Sequence, residues 1–247
     1  MFDLTWKTAL VTGASRGIGA AIAAAFVRAG AKVAVNSRGA EQLRKTADEV
    51  GAAVVLPGDV TDEQAAQEVV AGAIEGLGQL DVIVNNVGGN GVMVRFPQLR
   101  FAGWTKVMRL NVDSAVHVLQ AAAPHLLERR TGSVINVASV AGLSATPAMA
   151  QYGASKAALI SLTRTLAVEW ASTGVRVNAL CPGWTATDLN RTLWENEEVY
   201  AGLTATIPMG RWARAEEMAG PAVFLASDAS SFMTGQTLVV DGGQTAV

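Results

Sequence analysis

The sequence predicts a doubly wound α/β sheet, and three observations carry that prediction. Short β-rich runs alternate with longer helical patterns along the whole 247-residue chain. The runs are almost continuously apolar instead of alternating, as expected of strands buried on both faces of a parallel sheet. A glycine-rich turn, TGASRGIG at 12–19, joins the first run to the first helical pattern, where such sheets hold ligands.

TALVT (8–12) leads into a helix from Gly17 to Gly30. KVAVN (32–36) precedes AEQLRKTADEV, and AAVVLP (52–57) precedes TDEQAAQEVVAGAIEGLG. LDVIVN (80–85) precedes one long helical pattern from about Phe101 to Arg129. GSVINVAS (132–139) precedes the helix that holds Tyr152. GVRVNAL (174–180) is followed by an irregular segment and a helix near 215–226, and QTLVV (236–240) closes the series. Seven parallel strands with right-handed crossovers place helices on both faces. No linker, repeat or low-complexity block divides the chain. One domain is expected over 1–247, with a cofactor half at about 1–130 and a catalytic and substrate half at about 131–247.

Composition narrows the function classes. Half the residues are apolar, 16% are charged and the net charge is −2. With no basic stripe, nucleic acid is not an expected partner. A single cysteine, Cys181, excludes an intrachain disulfide and fits a reducing compartment; its expected role is that of a small buried residue. The start, MFDLTWKTAL, lacks the basic region of a secretory signal. The longest apolar stretch is broken by Arg28, Gly30 and Lys32, short of a membrane span. A cytoplasmic protein is expected. His117 and His125 have no Cys or acid cluster at ligand spacing, so no metal is expected.

Glycines at 13, 17 and 19 permit a tight turn with close backbone approach, and the helix that follows offers free N–H groups to a pyrophosphate. At the end of the second strand a carboxylate would favour NAD, but Asn36, Ser37 and Arg38 stand there. With Arg16 in the glycine turn, Arg38 suits a ribose phosphate through forked hydrogen bonds, which points to NADP(H). Asp59 in GDVTD follows the third strand, placed to accept from an adenine amino group; Thr61 or Asp62 caps the next helix. NNVGG (85–89) follows the fourth. Tyr152 and Lys156 stand four apart, on one face of a helix. A cation about 4 Å from a phenol would favour its ionised form by roughly 4 kcal/mol, or about 3 pKa units.

Taken together, TGASRGIG, DV at 59–60, NNVG at 85–88, Asn111 in RLNVDS, Ser139 in NVASVAG, YGASK at 152–156 and CPGWTATD at 181–188 resemble a short-chain dehydrogenase/reductase. The resemblance spans essentially the whole chain and implies a Rossmann fold. Val87 departs from it, standing where the family has alanine. It implies Tyr152 as general acid/base, Ser139 orienting the substrate oxygen, and Lys156 holding the nicotinamide ribose. Asn111 would break a helix and position a water that links Lys156 to solvent. The implied cofactor contacts are Gly13, Ser15, Arg16, Gly17, Ile18, Gly19, Asn36, Ser37, Arg38, Asp59, Val60, Asn86, Gly88, Tyr152, Lys156, Pro182, Gly183, Thr185 and Thr187.

The tail from PMGRWARAEEM to VVDGG is similar to both gluconate 5-dehydrogenases and 3-oxoacyl-(acyl-carrier-protein) reductases. A carrier protein would need basic residues beside the cleft; Arg130 matches one such position, and Val168 fills the other. A keto-sugar acid would want polar lid residues, and Asn190, Arg191 and Asn196 are candidates in a lid at about 184–214. Trp184, Trp194 and Trp212 within it are expected to pack. Arg129 and Arg130 are expected to be a solvated helix end. Broad carbonyl reduction is a further reading of the same chemistry, and a non-catalytic NADP(H) sensor is the rival of another class. A sugar-nucleotide epimerase would show a different glycine spacing and a longer carboxyl-terminal region. The resemblance also implies a homotetramer, with the helices at 101–129 and 152–172 in one interface and the last strand in another.

Overall fold

The computed structural model describes residues 2–246. Strands β1 (Thr8–Val11), β2 (Lys32–Ser37), β3 (Val54–Pro57), β4 (Val82–Asn85), β5 (Gly132–Val137) and β6 (Val175–Pro182) join a last strand, Thr237–Val240, in one seven-stranded sheet. Two short strands fall between these in the chain, β7 (Thr185–Ala186) and β8 (Ala213–Arg214), so the last strand is β9. The sheet runs β3-β2-β1-β4-β5-β6-β9 with every pair parallel. Strand order reverses between β1 and β4, which opens a crevice at their carboxyl ends.

Successive side chains of the central strands are buried on opposite faces of the sheet. Val33, Val35, Val82 and Val84 enter one core with Ile22 and Phe26 of α1 (Gly17–Arg28) and Leu43 of α2 (Ala40–Val50). Ala34 and Ile83 enter the other, against Val70 of α3 (Glu63–Leu77). Both faces are thus covered, which is why the strands lack a polar side.

The long pattern at 101–129 is interrupted. Helix α4 (Phe101–Met108) passes through a π turn, Arg109–Asp113, into α5 (Ser114–Arg129). Helix α6 (Ala150–Trp170) crosses behind β5 and β6. Two short helices, α7 (Arg191–Trp194) and α8 (Glu197–Thr204), fall in the segment expected to be the lid, and α9 (Ala219–Ala226) follows a 3-10 turn at 215–218. The parallel β7–β8 pair, for which the sequence carries no pattern, ties the two ends of that segment together. Among the described residues no helix is long and apolar enough to cross a membrane.

Of the two arginines expected to be a solvated helix end, Arg130 is exposed there and Arg129 is not. Arg129 donates to Leu80 O, Asp81 Oδ1 and Gln79 Oε1, each at 3.0 Å, clamping the approach to β4. Arg130 ends α5 in the left-handed region, φ 54°, and donates to Ser172 O at 2.7 Å. It precedes the amino end of β5, across the sheet from the crevice, so within one chain it does not stand beside the cleft. The histidines also serve the backbone: His125 Nε2 accepts from Leu80 N at 3.1 Å, and His117 Nδ1 lies 3.4 Å from Val60 O.

Candidate active site at the strand crossover

The glycine turn is fastened from three sides. Thr12 Oγ1 donates to Val84 O and accepts from Asn86 N at 3.1 Å. The Asn86 amide donates to Thr12 O and Gly13 O at 3.0 and 3.1 Å. Ala14 N donates to Asn36 O at 2.9 Å, and Thr46 Oγ1 to Ser15 O at 2.8 Å. Gly13 sits at φ +63°, and a Cβ there would approach Asn86 Nδ2 to 2.9 Å, so both conformation and space require glycine.

Helix α1 opens without a side-chain cap and with no acid in its first turn. Helix α3, by contrast, is capped by its own Asp62, which accepts from Ala65 N at 2.9 Å. The open donors of α1 are what an anionic pyrophosphate needs. Thr187 stands over the turn, its methyl carbon 3.4 Å from where a Gly17 Cβ would lie. Gly19 is buried behind the turn, and Ile18 packs into the first core. Arg16 and Arg38 are both exposed. Arg38 makes a loose ion pair with Asp59 at 3.8 Å, and no carboxylate replaces it at the end of β2. These residues fit an NADP-type dinucleotide.

Some predicted contacts are spent inside the protein. Asn36 is fully buried, and its amide donates to Leu56 O at 2.8 Å and Gly58 O at 3.2 Å; it braces β2 against β3. Ser37 is buried beside it, its hydroxyl 3.4 Å from Gly39 O. Asp59 Oδ1 accepts from the Thr61 N–H and hydroxyl at 3.1 and 2.9 Å, leaving Oδ2 toward Arg38. Val60 is buried in the second core, against which Val87 also packs.

On the other side of the crevice, Lys156 lies buried and donates to Val137 O at 2.8 Å, one bond from an ammonium with three donors. A Cβ on Gly88 would stand 2.9 Å from both Lys156 Nζ and Asn111 Oδ1, so only glycine lets the amine reach this place. Asn111 occupies the middle of the π turn. Its amide accepts from Gly89 N at 2.7 Å and donates to Gly89 O at 3.1 Å and to Ser155 Oγ at 2.7 Å. Ser155 in turn donates to Tyr152 O at 2.7 Å. Ser155 and Thr12 tie the site together, yet neither was singled out from sequence; a hydroxyl next to a motif lysine or glycine was the available signal.

Lys156 Nζ lies 5.7 Å from the centre of the Tyr152 ring. Burial pushes the phenol above its ordinary range, while a hydrogen bond from Ser139 pulls the other way. This differs from the acidified tyrosine expected from helical spacing: desolvation outweighs the Ser139 hydrogen bond, and burial pushes the Lys156 amine itself down to about 8. Cys181 is buried beneath the site, where burial raises its thiol to about 11 and the Ser139 N–H faces it. Pro182 pairs with Val240 at the end of β6, and Thr185 Oγ1 donates to Gly183 O at 3.1 Å.

An open helix start at the crossover of a doubly wound sheet, facing half-buried Ser139 and Tyr152 and a buried Lys156, defines a dinucleotide-dependent oxidoreductase. A family model described as enoyl-(acyl carrier protein) reductase matches residues 13–245, and the chain belongs to the short-chain dehydrogenase/reductase family. It is 40% identical to gluconate 5-dehydrogenase of Gluconobacter oxydans, over 99% of this chain and 97% of that one. It is 37% identical to the 3-oxoacyl-(acyl-carrier-protein) reductase FabG of Thermotoga maritima, over 97% and 98%. A solved gluconate 5-dehydrogenase from Burkholderia cenocepacia, in complex with NADP and tartrate, superposes with a TM-score of 0.94 at 36% identity, covering 100% and 98%.

Proposed function

We propose that the protein is an NADP(H)-dependent oxidoreductase interconverting a ketone and a secondary alcohol, with Tyr152 as the general acid/base. The observation that supports it most directly is the convergence of Ser139, Tyr152 and Lys156 beside Gly88, at the crossover crevice. Gly13, Ser15, Gly17, Ile18, Gly19, Thr185 and Thr187 would hold the pyrophosphate and carboxamide, Arg16 and Arg38 the ribose phosphate, and Lys156 the other ribose. When bound, the nicotinamide supplies or takes up the hydride.

The chain's own residues supply the rest. Ser139 orients the substrate oxygen by a hydrogen bond. Tyr152, kept neutral by burial, gives its proton to the oxygen as negative charge develops there, and takes it back in the oxidative direction. Charged Lys156 stabilises the phenolate left behind. Asn111 holds Gly89 and Ser155 in place, and a water beside it would return the proton from solvent.

The substrate is either a keto-sugar acid or polyol, or a 3-oxoacyl thioester; broad carbonyl reduction is the alternative. Gluconate 5-dehydrogenase and FabG among the relatives support the first two. A non-catalytic sensor is disfavoured by the intact tyrosine and lysine. We also propose a single domain, a cytoplasmic location and a homotetramer, for which exposed Phe101, Val168 and Phe232 supply apolar surface; light scattering that finds an active monomer removes the tetramer. Tyr152→Phe tests the chemistry. Turnover of every substrate is expected to fall while NADPH still binds by fluorescence titration. Retained turnover overturns the assignment.

A further inference from the structure

The polar side chains expected to face a hydroxylated substrate are consumed by the lid itself. Asn190 Oδ1 accepts from the Thr187 N–H and hydroxyl at 3.0 and 3.2 Å, and its amide donates to Thr185 O at 2.9 Å. Asn196 caps α8, accepting from Val199 N at 3.0 Å. Arg191 pairs with Asp188 and Glu195. Further along the lid, Arg211 pairs with Glu217 at 2.8 Å.

Large apolar side chains stand exposed around the mouth. Leu189, 63% exposed, approaches the position of a Gly89 Cβ to 3.7 Å. Gly89 adjoins Gly88, over which the Lys156 amine sits. Leu143 is 43% exposed in the turn that starts at Ser139. Met93 lies on a loop held in place on both sides: Gln151, next to Tyr152, donates to Asn90 Oδ1 and Val92 O at 3.1 and 2.8 Å, and Val94 N donates to Ala148 O at 2.9 Å.

We propose that this cleft takes ketones carrying an apolar alkyl chain or aryl group, and their alcohols, with Leu143 and Leu189 as the specificity-determining jaws. The proposal rests on the acid/base reading of Tyr152 and narrows its substrate. A polyhydroxylated acid would leave its water and find few free partners here. Its carboxylate would have to seek Arg95, exposed on the Met93 loop and without an acid partner among the described residues.

The test uses the full chain with NADPH and compares kcat/KM for ethyl 3-oxohexanoate and propiophenone with that for 5-keto-D-gluconate. The apolar ketones are expected to lead by about 100-fold, and Leu143→Asn or Leu189→Asn to raise their KM about 10-fold with the KM for NADPH unchanged. Arg95→Ala is expected to leave both apolar ketones unaffected. A wild-type preference for the keto acid that Arg95→Ala abolishes overturns the proposal. So do leucine variants that melt like wild type and keep its KM. Turnover that survives in Tyr152→Phe would sink the acid/base reading instead. The jaws are then judged by quenching of tryptophan fluorescence on adding 1-phenyl-1-propanol, which the leucine variants must weaken about 10-fold for the proposal to stand.

Discussion

On the cofactor wall of the crevice, Thr12, Asn86 and Asn36 fasten the backbone, while Arg16 and Arg38 stay exposed at its rim. On the lid wall, Asn190, Asn196 and Arg191 turn inward to their own segment and leave Leu189 outside. Both walls hold polar residues, but their free valences differ. A side chain recognises a ligand only with donors or acceptors that the fold has not already used, so composition alone misjudges the lid.

The largest effect is expected at the buried amine in the crevice between the walls. Lys156→Met is expected to cut kcat by about 10²–10⁴-fold, without lowering the melting temperature at pH 7. Burial lowers the folded pKa of this amine to about 8 from 10.5, so its charge opposes folding at neutral pH, and its contribution to stability rises as pH climbs from 8 to 10.5. A variant that melts well below wild type would show that the charge is better satisfied than the single Val137 bond implies.

Arg38→Ala probes the free valences of the cofactor wall. KM for NADPH is expected to rise about 10- to 100-fold, matching loss of a charge-assisted hydrogen bond, with NADH kinetics unchanged. Equal effects on both cofactors would take Arg38 away from the phosphate.

Cys181 tests the floor between the walls. Its folded pKa is raised to about 11 from 9.0, so its contribution to stability is complete below pH 9 and is lost as pH rises through 11. The Cys181→Ala variant should lose about 2 kcal/mol less than wild type across that window, as read from urea denaturation at pH 8.5 and 11. Parallel losses would mean the thiol titrates normally.

The smallest effect belongs to the lid anchor. Glu217 is held down at about 2 by two bonds from Arg211 and one from Arg214 N. That contribution is present above pH 4.5 and lost as pH falls through 2. Glu217→Gln is expected to loosen the lid to limited proteolysis at neutral pH while barely moving global stability; an unchanged cleavage pattern would remove the anchor role.

The sheet was legible because strands buried on both faces must be apolar throughout, and each β-rich run in the sequence became one strand of it. The lid was less legible. Strands as short as Thr185–Ala186 and Ala213–Arg214 carry no pattern, and nothing local reveals that Asn190 is spent on Thr187. In the site, Tyr152 and Lys156 were placed by helical spacing and Asn111 by resemblance. The direction of the Tyr152 shift was not foreseen, because spacing fixes the face but not the depth of burial. Arg129 looked solvated because Asp81, its partner, is distant in sequence.

The π turn at 109–113 has a consequence for how this chain tolerates change. It is one residue longer than regular helix would allow, and that surplus turns Asn111 sideways onto Gly89. Deleting a single residue there would let α4 and α5 fuse into one straight rod and rotate the asparagine off its mark by about a quarter-turn or more. Length changes should therefore be survivable in the lid and ruinous in this helix pair, even though the helix pair is the more regular of the two.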